Sequence, residues 1–284
     1  MPELPEVETI RRGLERLILR KKISRVEILC EKSWRGYDAA RILGQKIIEI
    51  DRRGKAMLIQ LENGLWMMVH LRMTGQMIVV AAGEKFAAGH PDGNFTAEMP
   101  SAHTRVWFEF DDGSRLFFND QRKFGFIKLL DEVGLQEDDF LRKLAPEPWD
   151  MNEDEFWARL QRHLKSPIKA VLLDQHVIAG VGNIYADEAC FVARIFPGVK
   201  VQEISRETAD ALLQALRDVM QASIDSGGST MKDYVRADGT KGSYLEKFAQ
   251  VFRRDGDSCR VCGSKILKTR VAGRGTHYCP ECQA

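Results

Sequence analysis

No stretch of this chain approaches the roughly 18 consecutive apolar residues that suggest a membrane span. The first twenty residues are charged and amphipathic, without the apolar centre of a secretory signal. A soluble, cytoplasmic protein with no membrane partner is therefore expected. A surplus of charge is missing as well: 42 Lys and Arg against 41 Asp and Glu leave a net charge of +1, so the overall balance does not announce a polyanionic partner. No internal repeat is visible. Cysteine is sparse, and four of the six fall in the last 26 residues. The other two, Cys30 and Cys190, lie in apolar stretches and read as buried thiols. Without a secretion signal, such clustering favours metal binding over disulfides.

What is present suits two domains and an appended module: 284 residues, of which 44% are hydrophobic, enough for ordinary cores. The neutral total hides a local pattern. Arg11 to Arg25 carries seven basic residues against Glu15 alone, and Val251 to Thr276 carries seven against Asp255 and Asp257. Each run is compatible with a phosphate-binding face or with a solvated helix face and a basic tail.

Val7, Ile10, Leu14 and Leu17 recur at one-face spacing and predict a helix over Glu6–Leu19. From about Ile23 to Leu130 β-character dominates. Asn63-Gly64 and Asp112-Gly113 separate alternating runs and are hairpin turns, because these dipeptides tolerate positive φ. Several hairpins after one helix imply a sandwich or flattened barrel. Ala81 to Ala102, rich in Gly, Ala and Pro, reads as a mobile surface loop. Ala145-Pro146-Glu147-Pro148 marks a boundary. Beyond it the 3.6 period predicts helices at Glu153–Leu164, Pro167–Asp174, Ile184–Val192 and Arg206–Ile224, the last capped by Ser205 and closed by Gly227-Gly228.

Cys259-x2-Cys262-x16-Cys279-x2-Cys282 has the spacing of a four-thiolate zinc site. Four ligands leave no open position, so one structural Zn2+ is expected, and His277 is not needed as a ligand. A hairpin between the cysteine pairs would carry Arg274 at a glycine-flanked tip, able to enter a groove or grip a phosphate.

The chain begins Met1-Pro2-Glu3-Leu4-Pro5-Glu6. Loss of Met1 would expose Pro2 as a secondary amine. An α-amino group is roughly 10–20% unprotonated near neutrality, against under ~0.1% for an ordinary lysine. Such an amine forms a charged iminium with an aldehydic sugar, and Glu3 and Glu6 are near enough to supply acid and base. The same residues also fit a proline-punctuated start with acids capping a helix. The Ile178–Ala186 segment fails as a dinucleotide fingerprint, since Tyr185 stands where a small residue is needed and no strand precedes it. It reads as a tight glycine turn between two helices, with Asn183 opening the second and able to hold a phosphate.

Five motifs occur in order: Met1-Pro-Glu-Leu-Pro-Glu-Val-Glu-Thr, His70-Leu-Arg-Met-Thr-Gly, Asp120-Gln-Arg-Lys-Phe-Gly, Gly180-Val-Gly-Asn-Ile-Tyr-Ala and Gly273-Arg-Gly-Thr-His-Tyr-Cys. With them the chain resembles the formamidopyrimidine-DNA glycosylases, bacterial enzymes that excise oxidised purines, from Met1 to Gln283. The resemblance implies an α+β multidomain chain: an N-terminal β-sandwich with an N-terminal helix (1–131), a linker (132–148), a helix-two-turns-helix domain (149–228), and a lesion-capping loop with a β-hairpin zinc finger (229–284). It implies double-stranded DNA with damaged bases or abasic sites as partner, and a monomer suffices.

By the same resemblance Pro2 is the nucleophile at the sugar C1′, Glu3 the proton donor and Glu6 a residue that orients the terminus. Lys55 assists from the β-domain, although Arg52-Arg53-Gly54-Lys55 equally reads as a solvated turn. His70, Lys169, Asn183 and Arg274 contact the backbone around the lesion. Met73, Arg122 and Phe124 fill the hole left by an everted base, where core packing is the plainer reading for Met73 and Phe124 taken singly. Ser229 and Tyr234 belong to the loop over that base. Two departures stand out, a longer Ala81–Ala102 segment and Ala145 in place of a glycine. An oxidised-pyrimidine enzyme of the endonuclease VIII type shares the architecture, and a non-catalytic zinc-dependent DNA-binding protein is the alternative from another class.

Overall fold

The computed structural model describes residues 1–81, 84–89, 98–228 and 244–283. They divide into two compact units, one of residues 1–142 and 226–228, the other of 143–225 and 244–283. No helix among them is long and apolar enough to cross a membrane.

The first unit opens with helix α1 (Leu4–Ile18), followed by ten strands: β1 (Ile23–Ile28), β2 (Trp34–Gly36), β3 (Ile47–Arg53), β4 (Ala56–Leu61), β5 (Trp66–His70), β6 (Gly75–Ala81), β7 (Glu84–Gly89), β8 (Thr104–Phe110), β9 (Arg115–Asp120) and β10 (Phe126–Leu130). They form two five-stranded sheets, ordered β1-β8-β9-β6-β7 and β2-β10-β5-β4-β3. All pairings are antiparallel except β10 with β2. Gly64 and Gly113 both take φ +80 in the two expected hairpin turns.

Inward residues of both sheets share one core with α1, which contributes Val7, Ile10, Leu14 and Ile18. Leu17, expected on that face, is only partly buried, because Ile18 at one turn past Leu14 is better aimed at the core. The segment read as a mobile loop contains β7, paired with β6 over Gln76–Ala81, and its Phe86 lies in the core. An ideal Cβ on Gly13 would stand 2.1 Å from the Phe86 ring, so only glycine lets the ring settle on α1. The two residues lie over seventy positions apart in sequence, which is why loop-like composition misled. Two short helices, α2 (Glu132–Glu137) and α3 (Asp139–Lys143), follow β10.

The second unit contains α4 (Glu153–Leu160), α5 (Ile168–Leu172), α6 (Asn183–Val192), α7 (Arg206–Asp225) and α8 (Tyr244–Lys247), then the hairpin β11 (Leu267–Val271) and β12 (Arg274–Tyr278). The Ser205 hydroxyl accepts the Thr208 amide at 3.2 Å, capping α7 as its position suggested. The proline-rich boundary is strapped down by Arg217 of α7, whose guanidinium donates to the carbonyls of Pro148 (2.9 Å) and Met151 (2.5 Å). Cys190 is buried, whereas Cys30 is only half-buried.

Candidate active site

The chain's first residues are held by α1. Pro2 and Glu3 are buried, Pro5 occupies the first turn where no amide donor is required, and the Glu3 amide donates to Glu6 Oε2 at 2.8 Å within a capping box. Glu6 thus fixes the backbone that carries Pro2.

One turn on, the Glu8 carboxylate accepts from Arg11 (3.1 Å to each oxygen), Arg12 (2.7 Å) and Arg52 (3.2 Å). Burial alone would raise its pKa, but the guanidinium hydrogen bonds outweigh it and hold the carboxyl below the usual range. Two residues of the basic N-terminal run are therefore engaged internally. Arg52 also donates to the Gly54 carbonyl at 3.0 Å, fixing the turn before Lys55. Lys55 is 6% exposed, so the solvated-turn reading does not describe it.

His70 ends β5 between two rings, stacked on Phe126 (5.9 Å between centroids) and edge-on to Phe140 (5.2 Å). Burial first, then Arg72, Lys55 and Arg35, lower its pKa to about 3. It is neutral at pH 7, and because Nδ1 accepts the Arg72 amide at 3.1 Å, the proton belongs on Nε2, a donor. The Arg35 guanidinium lies 3.9 Å over the Phe126 ring and that of Arg72 at 5.8 Å. Sequence reasoning missed both arginines: Arg35 lies in none of the motifs, and Arg72 stands inside one without being singled out.

Met73 and Phe124 are 41% and 51% exposed, so neither is core. The Arg122 guanidinium lies 4.8 Å over the Phe124 ring, with Nη1 3.1 Å from Met73 Sδ. The three expected void-filling side chains are thus gathered on one exposed tip.

In the second unit, all four cysteine sulfurs lie within 4.8 Å of one another, with Cys259–Cys282 at 3.9 Å and Cys262–Cys279 at 3.4 Å. No cysteine is in a disulfide. A tetrahedral zinc with Zn–S near 2.3 Å requires sulfurs about 3.8 Å apart, so the four thiolates fit one structural Zn2+. Gln283 braces the last turn: its side chain accepts from the Cys279 amide and donates to the Ile195 carbonyl, both at 2.8 Å. Arg274 is exposed at the hairpin tip, after a turn with positive φ at Ala272 (+47) and Gly273 (+75).

Lys169, expected on the DNA backbone, is 0% exposed. Its ammonium pairs with Asp187 Oδ1 at 2.6 Å and donates to the Gly275 carbonyl and Thr276 hydroxyl, both at 2.9 Å. A buried cation needs such partners, and they belong to the hairpin. The Asn183 side chain likewise donates to the Gly275 carbonyl at 3.1 Å. Both side chains thus brace the strand that carries Arg274. Ser229 and Tyr234 lie outside the described residues.

Three family models match along the chain: the formamidopyrimidine-DNA glycosylase N-terminal domain over residues 1–127, the H2TH domain of the same glycosylases over 144–235, and a zinc finger found in FPG and IleRS over 256–284. Similar proteins include the formamidopyrimidine-DNA glycosylases of Pelotomaculum thermopropionicum, 39% identical with 100% of this chain and 99% of that protein covered, and of Latilactobacillus sakei, 40% identical with 100% and 98% covered. Among solved structures, Lactococcus lactis Fpg with abasic-site DNA aligns at a TM-score of 0.85 and 32% identity, covering 99% of each chain. MutM (FPG) of Thermus thermophilus aligns at 0.84 and 37%, covering 99% of this chain and 98% of the other.

Proposed function

The chain belongs to the formamidopyrimidine-DNA glycosylase family, and from that premise we propose that it excises oxidised purines such as 8-oxoguanine and ring-opened formamidopyrimidines from duplex DNA in the cytoplasm, and cuts the strand there, with Pro2 as nucleophile. The observation that carries the reading is the buried Pro2–Glu3 start, held by the Glu3–Glu6 hydrogen bond at the positive end of α1. The capping box thereby holds the backbone that presents the Pro2 nitrogen.

Once Met1 is removed, the Pro2 nitrogen attacks C1′. The C1′–base bond breaks, and its electron pair leaves with the base, which takes up the proton that the Pro2 nitrogen loses. Glu3 gives a proton to the ring oxygen as the sugar opens to an iminium. Loss of a C2′ proton then expels the 3′-phosphate, a second elimination expels the 5′-phosphate, and water releases the sugar remnant from the amine. Lys55, His70 through Nε2–H, Arg35 and Arg72 form a donor set for phosphates beside the lesion. Arg274, with Asn183 at the start of α6, supplies a second set from the other unit. Met73, Arg122 and Phe124 take the place of the everted base. Ser229 and Tyr234 remain the candidates for the segment over it. Zinc has no part in the steps; it holds the hairpin.

Borohydride trapping tests this. Protein lacking Met1 should be fixed covalently to an 8-oxoguanine:C duplex through its N-terminal peptide, and protein with its terminus blocked by retained Met1 should not. Equal trapping of the blocked form would remove Pro2 from the mechanism.

A further inference from the structure

We propose that the Thr74 hydroxyl, with the Asp120 carboxylate, couples the two loops that carry Met73 and Arg122–Phe124, so that the wedge is rigid before DNA arrives; this makes Thr74 and Asp120 positioning residues and rests on the void-filling reading above.

At this corner of the first unit the chain passes twice between the sheets. Residues 71–74 lead from β5 to β6, and 121–125 lead back from β9 to β10. The register brackets both passages, since His70 pairs with Phe126 in one sheet and Gly75 with Asp120 in the other. The passages therefore run side by side. Each contains one non-glycine residue in the left-handed region, Arg72 (φ +53) and Lys123 (φ +58), a conformation that L-residues disfavour and that needs support from its surroundings.

Asp120 supplies that support. It is fully buried; Oδ1 accepts from the Thr74 hydroxyl and from the Arg122 amide (3.2 Å), and Oδ2 accepts from the Gly125 amide (2.7 Å). Thr74 Oγ1 itself accepts the Arg122 amide at 3.0 Å. One hydroxyl thus joins the Met73 loop to both the base and the tip of the Arg122 loop. The backbones also approach closely: a Cβ on Gly75 would stand 2.4 Å from the Leu71 carbonyl oxygen, and one on Gly125 would stand 3.1 Å from the same atom.

A wedge held in this way enters the stack without first being ordered, and misplacement of about 1 Å in such a group can cost as much as a hundredfold in rate. The coupling should therefore matter where a stacked base must be expelled, and much less at a preformed abasic site, where no base is present.

The experiment compares single-turnover excision of 8-oxoguanine opposite C with strand cleavage at an abasic site in the same duplex, for wild type, Thr74→Val, Thr74→Ser and Met73→Ala. Abasic-site trapping with borohydride counts the competent molecules in each preparation. Thr74→Val is expected to slow excision about tenfold, equivalent to about 1.4 kcal/mol, with abasic cleavage within about twofold of wild type and excision restored in Thr74→Ser. Parallel loss of both activities, a wild-type excision rate in Thr74→Val, or failure of Thr74→Ser to restore it overturns the coupling. Should Met73→Ala leave excision unchanged, the void-filling reading itself fails, a result separate from a silent Thr74→Val beside an impaired Met73→Ala.

Discussion

Around His70, burial between Phe126 and Phe140 acts first and the charges of Arg72, Lys55 and Arg35 act with it. The ring stays neutral down to a pKa of about 3, while an unfolded histidine titrates near 6.5. Between these values the unfolded chain binds a proton that the folded one does not. The contribution is thus complete above about pH 6.5 and lost as pH falls, at up to about 1.4 kcal/mol per pH unit until folded His70 itself titrates. Denaturant unfolding at a series of pH values should show this slope between pH 6 and 4, and His70→Gln should flatten it. An unchanged slope would mean that the ring is protonated in the fold. The same neutrality fixes its use, because an imidazole whose Nδ1 accepts from the Arg72 amide can offer only Nε2–H to a phosphate.

At the level of elements, the zinc hairpin is fastened by α5 and α6 as well as by its metal. Lys169 of α5 and Asp187 of α6 meet at 2.6 Å with no exposed surface, and Asp187 Oδ2 accepts the His277 amide at 3.0 Å. Lys169→Met would leave a buried carboxylate without its cation, at a cost of about 3–5 kcal/mol. Thermal melts of the second unit should fall accordingly, and Arg274-dependent DNA binding should weaken, while Pro2 is untouched. A variant as stable as wild type with weakened binding would instead restore Lys169 to the DNA-binding face. Much of this arrangement was legible beforehand. The Cys-x-x-Cys pairs fixed the metal site, the two Asx-Gly turns fixed the hairpins, and the 3.6 period gave α6 and α7. Partners distant in sequence were not legible: Phe86 with Gly13, Lys169 with Asp187, Arg52 with Glu8. Residue types such as a lysine after a Ser-Pro pair announce a charge but not whether it faces solvent or a buried acid.

For the molecule as a whole, the four cysteine ligands all lie in the second unit, and the sandwich core lies entirely in the first. Stripping zinc with a chelator should therefore leave amide-exchange protection of β3 to β10 in place. It should also weaken DNA binding and make the affinity less sensitive to salt, the slope falling by about one for each phosphate that is no longer neutralised. Loss of strand protection on chelation would show that the two units do not fold independently.

Gln283 stitches the final zinc turn to the loop after α6 with two side-chain hydrogen bonds, so the residues around the last cysteine are not spare chain. Anyone labelling the protein meets the same difficulty at the other end, where an added peptide would acylate the nitrogen proposed to react. The Asn63-Gly64 turn offers a better handle: it is exposed, and a side chain built on Gly64 would meet no atom within 4 Å, although its positive φ favours grafting at Asn63.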